Sequence, residues 1–125
     1  MNYKNIFLEQ SENLLNELTE ILPDSGSIEL YKEKFYLIKK ANSNIIINSF
    51  IKYVLIHKEN ILKKNEEFFL NGGGQEKVSN DNQHYVLSLK NDWNNISEEN
   101  KNIIWKYFHV LILLAEKIVI EIMSK

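Results

Sequence analysis

The feature that most constrains this chain is its last stretch, from Ser97 to Lys125, where no Gly or Pro interrupts a dense apolar run. Leu, Ala, Glu and Lys within it favour helix. Ser97 is placed to act as an N-cap, its hydroxyl accepting one of the orphan backbone N–H groups. Glu98 and Glu99 follow at the positive end of the helix dipole. At 100° per residue, Asn102, Lys106, His109, Glu116, Lys117 and Ser124 fall in one narrow sector, with Glu121 at its edge. The rest of the circumference is apolar, wider than the stripe of an ordinary surface helix. Such a helix sits at the centre of a bundle, crosses a membrane, or is covered by a partner. A membrane span needs about 20 mostly uncharged apolar residues. Lys106, Glu116, Lys117 and Glu121 break that window, so the run predicts a central bundle helix over about 98–124.

Two residues inside the polar sector break its pattern. Leu113 and Ile120 are seven apart and in line with the stem of Lys106. Seven residues make two turns, so Lys106, Leu113 and Ile120 share a seam that could hold a second copy of the chain. Exposed single apolar residues are also common on any surface.

Ahead of this helix, Phe7, Leu8, Leu14, Leu15, Leu18, Ile21 and Leu22 share one face of a helix predicted over Asn5 to Leu22, closed by Pro23-Asp24-Ser25-Gly26. Ser27 is the expected cap of a second helix, on which Ile28, Tyr31, Phe35 and Ile38 recur at helical spacing up to Lys39-Lys40. A third begins at Asn42 or Ser43 and carries Ile45, Ile46, Ile47, Phe50, Ile51, Tyr53, Val54, Leu55, Ile56, Ile61 and Leu62. Its β-branched residues suggest a strand, but about twenty residues exceed the usual strand length. Residues 71–84 hold Gly72-Gly73-Gly74 and few apolar anchors, the pattern of a mobile loop. Tyr85 to Trp93 suits a short helix or, through Leu87-Ser88-Leu89, a strand. The expectation is one all-α domain over 1–125, a compact bundle of five or six helices around two central apolar helices, about 43–64 and 98–124. Its expected core includes Phe50, Tyr53, Trp93, Ile104, Trp105, Phe108, Leu111 and Ala115.

Composition narrows function by exclusion. There is no cysteine, which removes disulfides, thiol catalysis and thiolate metal sites. All 15 basic residues are lysine and the net charge is −2. Without arginine the chain lacks the preferred bidentate reader of phosphate and guanine, which argues against a dedicated nucleic-acid binder. His57, His84 and His109 have no metal-ligand spacing, and Gly72-Gly73-Gly74 lacks the Lys-Ser/Thr of a phosphate-binding loop. An enzyme would require His57, His109 and a glutamate to converge through folding. Glu66-Glu67 and Glu98-Glu99 are adjacent pairs whose side chains diverge on a helix, unlike an acid–base pair. No catalytic, metal or cofactor residues are therefore expected.

The pattern Trp93…Ile96-Ser97…Lys101…Ile104-Trp105-Lys106-Tyr107…Leu111…Ala115 resembles a recurring Trp–x–x–Leu/Ile–Ser…Lys–x–x–Ile–Trp–Lys–Tyr–Leu pattern in small proteins of giant nucleocytoplasmic DNA viruses. The stretch Ile61 to Phe69 is similar to the Ile-Leu-x-Lys-Asp-Glu-x-Phe-Phe segment that precedes it there. Here Asn65 stands for the usual Asp and Phe108 for the usual Leu. The resemblance covers Ile45–Leu70 and Trp93–Ala115 and implies a shared helical fold, with no active-site residues to carry over. The heavy use of Asn, Ile and Lys suits an AT-rich genome. Residue pattern and resemblance together point to a non-enzymatic viral interaction protein in the host cytoplasm or the virion. It is expected to form a homo-oligomer, a dimer foremost, through the last helix, and to meet host or viral proteins. Capture of a host amphipathic helix in a Bcl-2-like groove, or lysine-based nucleoprotein binding, are the alternatives.

Overall fold

A computed structural model describes residues 2–70 and 92–124, without the side chains of Phe69 and Leu70. The expected loop at 71–84, His84, and the helix-or-strand segment up to residue 91 lie outside the described residues. Among the described residues there are five α-helices with a 3-10 turn, and no strand: α1 (Tyr3–Ile21), α2 (Gly26–Tyr53), the turn Leu55–His57, α3 (Lys58–Leu62), α4 (Glu66–Leu70) and α5 (Glu98–Met123). Residues 92–94 are helical as well. The chain is an all-α bundle, as its apolar periodicity predicts.

α1 starts where the Asn2 side chain accepts a hydrogen bond from the Asn5 N–H at 3.1 Å. It places Phe7, Leu8 and Leu14 in the core. The turn after Leu22 then sends α2 back along α1, and Lys39 forms an ion pair with Glu12. The cap of α2 is Ser25, not the expected Ser27. Its hydroxyl accepts from the Ile28 N–H at 3.3 Å and donates to Asp92 Oδ2 at 2.8 Å. Ser27 is instead buried within the first turn.

The expected boundary between the second and third helices is a local break inside α2. Asn42 has φ −165° and ψ 99°, and its side-chain oxygen accepts from the Asn44 N–H at 3.1 Å. Asn and Ser compete for their own backbone in this way, so a break falls where they cluster. The third segment does not run on as one rod to residue 64. It stops at Tyr53, turns through Leu55–His57, and resumes as α3, which brings Ile61 against Trp105 and Ile112 of α5.

α5 is the centre of the bundle. It buries Ile104, Trp105, Leu111, Ile112, Leu114, Ala115 and Ile118, with Ala115 and Ile118 fully enclosed. Its principal neighbour is α1; segment 43–62 adds Ile47 and Ile61 as buried residues and Phe50, Ile51 and Leu55 as partly buried ones. Phe7 meets Phe50 edge to face at 5.0 Å, which fastens α1 to α2. Of the expected core, Ile104, Trp105, Leu111 and Ala115 are buried, and Phe50, Trp93 and Phe108 are packed against it in part. Tyr53 is a correction. It is 47% exposed because it ends α2 where the chain turns, and its ring lies 5.1 Å from the Lys52 ammonium.

Candidate functional site: the uncovered face of the last helix

α5 is held in place from its first residue. Ser97 accepts from the Asn100 N–H at 3.2 Å, as its position before Glu98-Glu99 predicts. α1 covers one side of the helix and α3 the other, and between them one face stays open. Lys106 is exposed on it, followed by Val110, Leu113 at 56% exposure, Lys117 and Ile120 at 62%. The seam predicted for Lys106, Leu113 and Ile120 is therefore on the surface of the folded chain. Val110 widens it, and Met123 extends the apolar surface at the C-terminal end.

Fixed polar contacts edge this face. On the α3 side, Lys58 Nζ donates to Glu116 Oε2 at 2.8 Å, and Lys64 Nζ donates to Asn102 Oδ1 at 3.3 Å. The Glu116 hydrogen bond, and then the glutamate's charge, hold the Lys58 ammonium above its ordinary pKa of 10.5. His109 Nε2 sits 3.1 Å from the Ile61 carbonyl. A carbonyl only accepts, so this nitrogen carries the proton. On the α1 side, Lys117 Nζ lies 5.5 Å from the centre of the Tyr3 ring. The edges thus leave Leu113 and Ile120 standing proud.

Among the described residues, both histidines are engaged within the fold. His109 is engaged with Ile61, and the His57 ring packs 5.4 Å from that of Phe68. Among the described residues, no group of three or more His, Asp or Glu could hold a metal ion. No helix among them is long and apolar enough to cross a membrane.

One residue escaped the sequence reading. Lys101 is buried on the apolar side of α5, 7% exposed. Its ammonium lies 3.5 Å from Glu66 and 3.6 Å from Glu98, and 5.2 Å from the centre of the Trp93 ring. Trp93 in turn meets Trp105 edge-on at 5.6 Å. Lys101 thereby ties α4 and the residues before α5 to the helix itself. The signal was present: on the helical wheel Lys101 falls outside the polar sector and shares a side with Ile104 and Trp105. Its three contacts are structural, since an ammonium between two carboxylates and an indole face is already fully engaged.

No family model, no curated protein and no solved structure matches this chain. Any account of function accordingly rests on its own surface.

Proposed function

We propose that this is a non-enzymatic protein that pairs with a second copy of itself through the open face of α5. The observation that carries the reading is the exposure of Leu113 and Ile120 on the same helix whose opposite side is the best-buried part of the fold. A charged or polar residue at either position would satisfy water at no cost to the core, yet both are large and apolar. Charge supports pairing as well. Lys106, with Lys64 beside Asn102, lies towards the N-terminal end of the face, and Glu121 towards the C-terminal end. Two copies crossing antiparallel bring Lys106 of each towards Glu121 of the other, with the leucine–isoleucine seam between them. Side chains more than half exposed form a raised strip, which suits helix-to-helix pairing better than capture of a helix in a trench. The mixture of signs on the face also suits protein better than nucleic acid. In line with its resemblance to small proteins of giant DNA viruses, we place the dimer in the host cytoplasm or the virion, where host or viral proteins would be its further partners.

Sedimentation equilibrium tests this. The wild type is expected to rise with concentration from 14.8 kDa towards twice that mass. The Leu113→Glu/Ile120→Glu variant is expected to keep its helical circular dichroism and stay at the monomer mass. A wild type that is monomeric throughout, or a folded variant that associates as the wild type does, overturns the proposal.

A further inference from the structure

The first half of α2, from Gly26 to the break at Asn42, carries an apolar stripe on its outer side. At 100° per residue Leu30, Leu37 and Ala41 fall within about 40° of one another. Ile28, which is buried, and Lys39, which pairs with Glu12 of α1, point the opposite way. Leu37 is 69% exposed, Ala41 is exposed too and Leu30 partly so, with Tyr36 beside them at 42%. All four lie ahead of Asn42, so unbroken helical spacing relates them. From Leu30 to Ala41 the stripe is roughly 16 Å long. One flank holds Glu33 and Lys40, seven residues apart and both exposed, neither in an ion pair with another described residue. The other flank holds Ile38 and Lys34, a lysine already engaged within its own chain.

Charge decides what covers this stripe. When two copies of one helix pack antiparallel about a two-fold axis, each flank meets the same flank of the other copy in reverse order. Centred between Tyr36 and Leu37, that arrangement sets Glu33 of each copy against Lys40 of the other. It also brings Leu37 against Leu37, and Leu30 near Ala41, whose small side chain lets the helices approach. A parallel pair would set Glu33 against Glu33 and Lys40 against Lys40, and like charges across an apolar contact oppose association. Opposite signs seven residues apart on one flank therefore complement themselves, which an unrelated partner does not require.

We propose that the first half of α2 is a self-pairing face, on which a second copy of the chain docks antiparallel through Leu30, Leu37 and Ala41 with two Glu33–Lys40 ion pairs. It lies on a different helix from the α5 face and stands whether or not that face pairs. Where both pair, each chain carries two two-fold contacts and assembly can continue beyond the dimer. A stripe this short falls below the size of a stable interface, so pairing is weak and needs concentrations on the order of 0.1–1 mM. In dilute solution the Leu113→Glu/Ile120→Glu variant accordingly stays monomeric.

The test uses the full chain with Leu113→Glu/Ile120→Glu as the parent, so that the α5 face plays no part and its failure or success leaves the result untouched. Backbone amide shifts are followed by NMR on dilution from about 1 mM at low ionic strength, where surface charge is least screened. The parent is expected to show concentration-dependent shifts confined to residues 30–41. Glu33→Lys makes the flank wholly basic and Lys40→Glu makes it wholly acidic. Each added singly should lower the association constant at least about tenfold, by turning two attractive pairs into two repulsive ones. An equimolar mixture of these two variants should associate as the parent does, and so should Glu33→Lys/Lys40→Glu alone. Leu37→Ser, which alters an exposed side chain, should abolish association with circular dichroism unchanged. Shifts in the parent that do not depend on concentration, single charge variants that associate as well as the parent, or a mixture no better than its components would each overturn the proposal.

Discussion

Replacing Lys64 with glycine should make this protein more stable, although the substitution removes a side-chain contact. Lys64 has φ 55°, the left-handed conformation that few residues other than glycine adopt readily. The reason is the way α3 ends. The Asn65 N–H donates to the Asn60 carbonyl at 2.9 Å and the Lys64 N–H to the Ile61 carbonyl at 3.0 Å, the paired bonds of a helix closed by a left-handed residue. A side chain in that conformation costs roughly 1–2 kcal/mol. Glycine removes this cost but loses more chain entropy on folding, roughly 0.5–1 kcal/mol. The exposed bond from Lys64 to Asn102, at 3.3 Å, contributes at most a few tenths more by comparison with other surface contacts. The net expectation for Lys64→Gly is a gain of about 0.5–1 kcal/mol, read as a higher urea midpoint at unchanged m-value. Lys64→Ala is the control, because it loses the same contact and keeps the strain. Glycine should exceed alanine by about 1 kcal/mol. Alanine as stable as glycine would refute the reasoning.

Other substitutions probe the core and its charges. Phe7→Ala empties a fully buried site and should cost about 3–5 kcal/mol in chemical denaturation; a cycle with Phe50→Leu should return a coupling of roughly 0.5–1.5 kcal/mol for the edge-to-face pair. Lys101→Met keeps the stem over Trp93 and strands no buried charge, since Glu66 is partly exposed, so stability should stay within about 1 kcal/mol of wild type. Lys101→Glu sets three carboxylates together and should lower the urea midpoint sharply; equal effects of the two substitutions would contradict the assignment. For Lys58, the folded pKa lies above the ordinary 10.5. Its contribution is then fully present below the unfolded pKa and lost as pH rises through the folded one. The difference in urea midpoint between wild type and Lys58→Met should thus hold from neutral pH to about 10 and disappear above it; a difference that vanishes already at pH 8 would contradict the Glu116 pairing.

Much of this architecture is written locally. Ser97-Glu98-Glu99 and the uninterrupted apolar run define α5, and Pro23 with Gly26 separates α1 from α2. The Asn and Ser residues at 42–44 mark the break in α2, because their side chains bond their own backbone. The halt at Tyr53 is not marked, since neither Gly nor Pro stands there. It follows from tertiary contact, the gain from seating Ile61 against Trp105 and Ile112. The choice of Ser25 over Ser27 as cap is of the same kind, as Asp92, far along the chain, engages the Ser25 hydroxyl. The exposure of Lys106, Leu113 and Ile120 along one side of α5 was legible because a helical wheel needs only spacing. Burial of Lys101 was legible only in part: the wheel sets it outside the polar sector, but its stem is covered only once Trp93 and α4 arrive beside it. Tyr53 failed for the converse reason: an aromatic ring at apolar spacing reads as core until the helix carrying it ends.

Residue-resolved hydrogen exchange tests the arrangement around α5 most directly. Amides from Leu111 to Ile118 are predicted to exchange only through global unfolding, slowest in the described chain, while those of the first half of α2, with few buried side chains, open locally and exchange far sooner. Exchange in the middle of α5 as fast as in α2 would show that the last helix is not the centre of the fold.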